Sequence, residues 1–468
     1  MGSTSTVSTS HACTTALMAG AAENVITPTT ELEVYEDLYA RALVLVDSSK
    51  VQTQENTISY LVIVSLDQLG CAYYEIVLKA ISRATGIPTD SIFLNYSHSH
   101  NALGPVGEWN EENQPSTAEF DIPYEEWLGD DIGRLGAWDR WLVGHIAEVV
   151  KRAFLAVRPA TLHVGRAPAQ IGYNRRKMQT DGRIRHSVNL DGAVVPWVDA
   201  IGVFGEDGER IATMFSHAAH PVIVHHDWKN GIHSVLGPDY PGYAVKHLKN
   251  LLSAEGKSHG VLMFAQACGG DVNGYPRACG DPNACDAAGL SLAFSTRRAL
   301  DNLTQVTPTS IRGHSLTLSL PRRLPTVAEC KAWLNDPILH DPSGPDYGTG
   351  NIERLLDMAE RGEREYLDLP IQAFAIGSDL CLLMLPGEMF CEYQLYAEDM
   401  SPFAHTVVLG YINFSVSYVG TKKDYELPGL TGGHGIAPHT NTPLEPSVEA
   451  TIKQGVGHLL TELKTKIG

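Results

Sequence analysis

The chain has 468 residues, 43% of them hydrophobic, and its 35 basic and 54 acidic side chains leave a net charge of −19. That apolar content excludes a largely disordered protein, and an acidic chain without a basic block excludes nucleic-acid binding or a polybasic membrane contact. No run approaches the roughly 18 apolar residues of a membrane span, and eight cysteines with no CxxC pair are too sparse for a disulfide framework.

Residues 1–18 are rich in Ser and Thr and show no periodicity that buries a face, so a disordered tail is expected there. The opening segment has neither the positive region nor the apolar stretch of a secretory signal, which makes a cytoplasmic location the expectation. Residues 61–66 are a continuous apolar run that suits a strand buried on both faces. A helical pattern follows over 71–85, with Ile76, Leu78 and Ile81 on one side and Gly86 and Pro88 as stops. Another apolar run occupies 91–96. Strand, helix and strand within about 35 residues form a βαβ unit, which predicts parallel strands.

The same order recurs at 211–275, where apolar runs at 211–215 and 261–264 bracket a helix near 243–252, and again near 380–420. Residues 106–130 read as a long acidic loop and 321–365 as a charged, partly helical insertion; segments of this length cover a site or move, so both are lid candidates. A last helix is expected near 446–466. No Gly/Ser linker or shift in composition divides the chain, so residues 19–468 are expected to form a single domain. The pattern predicts an α/β fold with mixed, largely parallel sheets, flanking helices and long loop insertions.

The run at 91–96 leads into Tyr96-Ser97-His98-Ser99-His100-Asn101. In extended backbone a spacing of two puts both imidazoles on one face, at the end of a parallel strand, where α/β sheets place ligands. A second cluster, Ser216-His217-Ala218-Ala219-His220-Pro221, also closes an apolar strand, and Pro221 biases His220 towards an extended conformation. A single histidine is more often a hydrogen-bonded ring, but two clusters that each end a predicted parallel strand point to a metal site. Neutral imidazole suits Zn²⁺, and catalytic zinc usually takes three protein ligands plus water, so an oxygen ligand is still needed. Glu388, after Pro386-Gly387, and Tyr418, in the next apolar stretch, are both placed to supply it. Each also reads as a helix-start carboxylate or a strand aromatic, and spacing does not choose between these readings.

Taken in order, several short motifs resemble the neutral/alkaline non-lysosomal ceramidase family across about residues 19–430. They are Ser97-His98-Ser99-His100 with Gly104-Pro105, His220-Pro221, Asp239-Tyr240-Pro241-Gly242-Tyr243, Gly270-Asp271-Val272, Leu385-Pro386-Gly387-Glu388 and Tyr418-Val419-Gly420-Thr421. The resemblance implies a zinc hydrolase of lipid metabolism that cleaves the C–N amide bond of an N-acylated small molecule through metal-activated water. It implies that His98, His220, Glu388 and Tyr418 hold the metal, with His100 beside it as a hydrogen-bond or acid partner. Arg175, in Tyr173-Asn174-Arg175-Arg176, matches an Asn-Arg motif of the family's active site, although a solvated arginine pair is as good a reading. Tyr425 falls at another recurrent tyrosine, and Asp239 is a candidate to orient a metal-bound histidine.

Two departures qualify the resemblance. The family's Gly-Asp-Val-Ser-Pro-Asn reads Gly270-Asp271-Val272-Asn273-Gly274-Tyr275, so Asn273 replaces the serine; an amide can donate to an oxyanion but cannot form an acyl-enzyme. The chain is also expected to lack the immunoglobulin-like C-terminal domain of full-length ceramidases, which favours a soluble N-acyl substrate. Ester or lactone hydrolysis, or a cyclase or lyase step on the same metal, is the alternative, and a binding protein that keeps only the fold is a third. A small-molecule substrate and no nucleic acid are the expected partners; a homo-oligomer stays open.

Overall fold

The computed structural model describes residues 17–29, 32–48, 59–102, 125–225, 235–306, 310–340, 349–413 and 417–467. Most of the expected acidic lid at 106–130, and the expected tail up to residue 16, lie outside the described residues. The strand Leu17–Val25 starts inside the segment expected as tail, because Leu17 and Met18 pair with Asp47 and Val46 and Leu17 is fully buried.

Four layers make up the fold. A mixed sheet runs in the spatial order Val261–Gln266, Arg210–His217, Trp197–Gly205, Arg158–Pro168, Leu17–Val25, Tyr39–Asp47, Ser59–Leu66 and Ile92–Tyr96. A four-stranded sheet, Ile311–Pro321, Tyr366–Ile376, Leu380–Met384 and His405–Leu409, packs against its inner face. Phe93 meets Phe374 edge-on across that interface, with ring centroids 5.1 Å apart. Helices Tyr74–Thr85 and Ala137–Leu155 cover one half of the large sheet's outer face, and Asp239–Ala254 and Pro282–Asp301 the other. Cys391–Met400 and Val448–Ile467 cover the small sheet.

This layering explains the unbroken apolar runs. Along Tyr39–Asp47, Ala40, Ala42 and Val44 face the helices while Leu43 and Leu45 face the second sheet, so neither face of the strand is left to solvent. The helix Tyr74–Thr85 ends at Gly86, whose φ of 77° is the left-handed cap that glycine takes without strain. The charged insertion after Pro321 contains helices Val327–Leu334 and Gly350–Arg361, in line with its partly helical pattern.

Parallel pairs occur where the βαβ pattern predicts them: Ser59–Leu66 with Ile92–Tyr96, Arg210–His217 with Val261–Gln266, and Leu380–Met384 with His405–Leu409. The strands between the first two pairs run antiparallel. Short connections such as the turn between Trp197–Gly205 and Arg210–His217 permit only a hairpin. No helix among the described residues is long and apolar enough to cross a membrane.

Candidate active site

The carboxyl ends of the three parallel pairs meet at one place. Asn95, fully buried, ties them: its Oδ1 accepts from the Gln266 amide at 2.7 Å, and its Nδ2 donates to Gly410 O at 2.7 Å and Gln266 O at 3.0 Å. Beyond these ends the chain turns into the segments that carry His98, His220 and Glu388.

His98 is not in the extended conformation that its spacing from His100 suggests. Its φ is 63°, uncommon for a residue with a side chain, and its amide donates to Gln68 O at 2.9 Å. That turn, rather than strand alternation, brings the His98 and His100 rings to 5.0 Å. His220 is extended as expected, bridging to Asn273 in the strand Val272–Gly274. Glu388 and Tyr418 sit directly opposite one another in a short parallel pair, Glu388–Met389 with Tyr418–Val419, so both side chains reach the same cleft.

The hydrogen bonds decide how the imidazoles are used. His98 Nδ1 lies 2.6 Å from Leu69 O and His220 Nδ1 lies 2.6 Å from Gly269 O. A carbonyl only accepts, so each Nδ1 carries a proton, and each Nε2 is the ring nitrogen turned into the cleft. Those two nitrogens lie 3.4 Å and 2.9 Å from Glu388 Oε2, and the Tyr418 hydroxyl lies 3.4 Å from His220 Nε2. Two imidazole nitrogens, a carboxylate oxygen and a phenol oxygen thus converge on one cleft, a donor chemistry that suits a divalent cation. Ligand atoms of His98, His100 and His220 lie within 4.8 Å of one another, close enough for these three rings to hold one divalent ion.

Burial, reinforced by Arg175, lowers the His220 imidazole to about 3. Burial and the neighbouring His98 and His220 hold His100 well below the usual histidine range, and among the described residues neither of its ring nitrogens has a hydrogen-bond partner. Burial would raise Glu388, but His98 and His220 outweigh it and hold the carboxylate well below its ordinary value. Burial pushes the Tyr418 phenol up, and the Arg175 guanidinium, 5.1 Å above the ring, opposes that shift.

Arg175 is buried and the half-buried Arg176 has its side chain nearly covered, so the pair is not solvated. Arg175 donates from Nη1 to Asn273 Oδ1 at 3.0 Å and from Nη2 to Gly270 O at 2.6 Å, while Arg176 pairs with Asp424 at 3.0 Å. Tyr425 does not join the cluster: its hydroxyl accepts from the Gly420 amide at 2.9 Å and so supports the loop that follows Tyr418. Among the described residues, Asp239 hydrogen-bonds to no histidine. Its carboxylate accepts from the Val224 and Tyr240 amides at 2.9 Å and 2.8 Å, at the start of its own helix. Asp271, Cys391 and Glu392 form a second cluster, but the Asp271 oxygens already accept from the Cys391 amide and from Asn174 Nδ2.

Three neighbours escaped the sequence reading. Tyr411 lies 4.7 Å from the His98 ring and its hydroxyl 3.3 Å from His220 Nδ1; it follows the strand His405–Leu409 closely enough for the strand-end rule to find it. His434 sits 5.2 Å from Tyr418 within Gly432-Gly433-His434-Gly435, where the glycines were a signal. His186, 5.3 Å from His434, lies on the strand Ile184–Asn189 and carried none.

The fold is thus a four-layer α/β sandwich with a histidine, carboxylate and phenol cluster at the carboxyl ends of its parallel strands. No protein-family model matches the chain, and no curated protein sequence matches it significantly. Among solved structures it is similar to the crystal structure of neutral ceramidase from Pseudomonas aeruginosa, with a TM-score of 0.63 and 17% identity, covering 97% of this chain and 75% of that one. It is likewise similar to a ceramidase complexed with C2, with a TM-score of 0.63 and 17% identity, covering 97% of this chain and 76% of that one. The likeness establishes a ceramidase-like fold.

Proposed function

We propose that the chain is a metal-dependent hydrolase that cleaves the C–N amide bond of an N-acylated small molecule. In this reading residues 19–468 act as one catalytic domain, and His98, His220, Glu388 and Tyr418 hold a divalent ion. Zn²⁺ suits two imidazoles with oxygen ligands. The observation that carries the proposal is the convergence of two imidazole Nε2 atoms on Glu388 Oε2, each ring fixed by an Nδ1 bond to a backbone carbonyl. The ceramidase-like fold supports an N-acyl substrate.

When bound, such an ion polarises a carbonyl and activates water. The chain supplies the remaining chemistry. Arg175 commits Asn273 Oδ1, which leaves the Asn273 Nδ2 donor for the developing oxyanion. Arg175 also lies over the Tyr418 ring, where its charge favours the ionised phenol. His100, held neutral by burial, takes up a proton as base and passes it to the departing amine as acid. Tyr425 acts through the loop after Tyr418 rather than on substrate.

Turnover of N-acyl amides, esters and lactones by the metal-loaded protein in ¹⁸O-water tests this proposal. Amide cleavage with ¹⁸O in the carboxylate product is expected. Turnover restricted to esters or lactones, or product without ¹⁸O, contradicts it and favours the alternative chemistry that Asn273 permits.

A further inference from the structure

Two consecutive arginines flank the short parallel pair that carries Glu388 and Tyr418. They lie on the strand Gly172–Met178, whose register against Ile184–Asn189 shifts between Asn174 and Arg176. An irregularity of this kind re-aims the side chains around it, so neighbours that alternation would send to opposite faces can turn towards one body. Arg175 places its guanidinium 5.1 Å from the Tyr418 ring, and Arg176 places its own 5.1 Å from the Phe390 ring. Phe390 directly follows Glu388–Met389 and its amide donates to Val419 O at 3.1 Å, so each arginine covers one strand of the pair.

Arg175 ends on Asn273 and Gly270, whereas Arg176 ends behind the pair. Its Nε donates to Asp424 Oδ1 at 3.0 Å and its Nη2 to Gly432 O at 2.9 Å. Both acceptors belong to segments that shape the surroundings of Tyr418. Asp424 Oδ2 accepts from the Thr421 amide at 3.0 Å and from the Thr421 hydroxyl at 2.7 Å, which closes the turn directly after Tyr418-Val419-Gly420. Gly432 opens the loop whose Gly435 lies so close to the Tyr418 ring that a Cβ there would collide with it. Water is nearly excluded from the ion pair, with 8% of the Arg176 side chain and 7% of the Asp424 side chain exposed. A planar guanidinium holds a carboxylate and a carbonyl at fixed angles at the same time, which an ammonium on a flexible stem does not.

We propose that Arg176 is the positioning residue of the Glu388–Tyr418 pair: it fixes these two oxygen donors relative to one another and acts through them rather than on substrate. Its three contacts fall on the chain after Glu388, on the turn after Tyr418 and on the loop that packs against Tyr418. Losing them frees both donors together, and groups that orient metal ligands change metal affinity by about 10–100-fold. The inference rests on the proposed metal site for what this order serves, but the order itself is measurable without metal.

Hydrogen exchange of the metal-free full chain and calorimetric titration with zinc test it on Arg176→Lys, which keeps the charge and removes the fork. The amides of Phe390, Gly420 and Thr421 should exchange about ten-fold faster than in the wild type, while those of the strand Arg210–His217 keep their protection, and zinc should bind at least about ten-fold more weakly. The double variant Arg176→Met with Asp424→Asn buries no unmatched ion and should behave in the same way. Arg297→Lys is the control: Arg297 holds Glu255 at 2.7 Å and also Asp301, from the outer helix Pro282–Asp301, so both readouts should stay at their wild-type values. Unchanged exchange at the three amides, faster exchange spread over the whole chain, unchanged zinc affinity in a loosened variant, or an equal effect in Arg297→Lys overturns the assignment. If the three amides loosen as expected while the wild type takes up no zinc, the positioning role stands and the metal reading falls.

Discussion

Asn95→Ala should loosen the site and the fold together, because one buried amide joins the ends of three strands. The substitution removes the partner of the Gln266 N–H and of the Gly410 carbonyl, while Gln266 O keeps the Gly410 amide at 3.0 Å. Two orphaned backbone groups at ~1–3 kcal/mol each cost about 2–6 kcal/mol. Unfolding entropy of ~2.1 cal/mol/K per residue amounts to about 1 kcal/mol/K for 468 residues, so Tm should fall by about 2–6 °C. Gln266 lies three residues before Gly269, which holds the His220 ring, so affinity for a divalent ion should weaken as well. Asn95→Asp should do worse than alanine, since it turns an anion towards two carbonyl oxygens. Scanning calorimetry and metal titration read both effects. A melting point within about 1 °C of wild type, with unchanged metal affinity, would refute the idea that this amide couples the strand ends.

Gly435→Ala should displace Tyr418 and lower turnover about 100-fold, the order expected for a misplacement of about 1 Å; wild-type kinetics would contradict the close packing. His100→Ala should keep its metal yet lose about 10²–10⁴ in kcat, and loss of the ion would instead make His100 a ligand. His217 is buried, donates from Nδ1 to Trp197 O, and is lowered by burial to about 4. The unfolded chain takes up that proton near pH 6.5, so this contribution to stability is complete above pH 6.5 and lost towards pH 4. The stability of wild type relative to His217→Asn, measured in urea, should therefore drop by about 3 kcal/mol over that window, and a flat difference would remove His217 as the cause.

The strands and their ends were legible because burial on both faces makes each one an unbroken apolar run, and the first polar residues after it mark the cleft. His98, His220 and Glu388 follow such runs, and the structure brings them together although up to 290 residues separate them. What spacing could not express is pairing at a distance. The antiparallel strands between the parallel edges, the register that sets Glu388 opposite Tyr418, and the backbone carbonyls of Leu69 and Gly269 that orient the imidazoles all depend on tertiary contacts. Asp239 illustrates the opposite error. An acid near a histidine cluster reads as its orienting partner, but Asp239, with a positive φ of 54°, spends its carboxylate on the Val224 amide and on the Tyr240 amide of its own helix start.

Elemental analysis of the zinc-equilibrated, dialysed protein, with His98→Ala and His220→Ala beside it, tests the donor set most directly. About one equivalent of zinc per chain is expected in the wild type and little in either variant. A wild type that retains no zinc, or variants that retain it fully, would contradict the account.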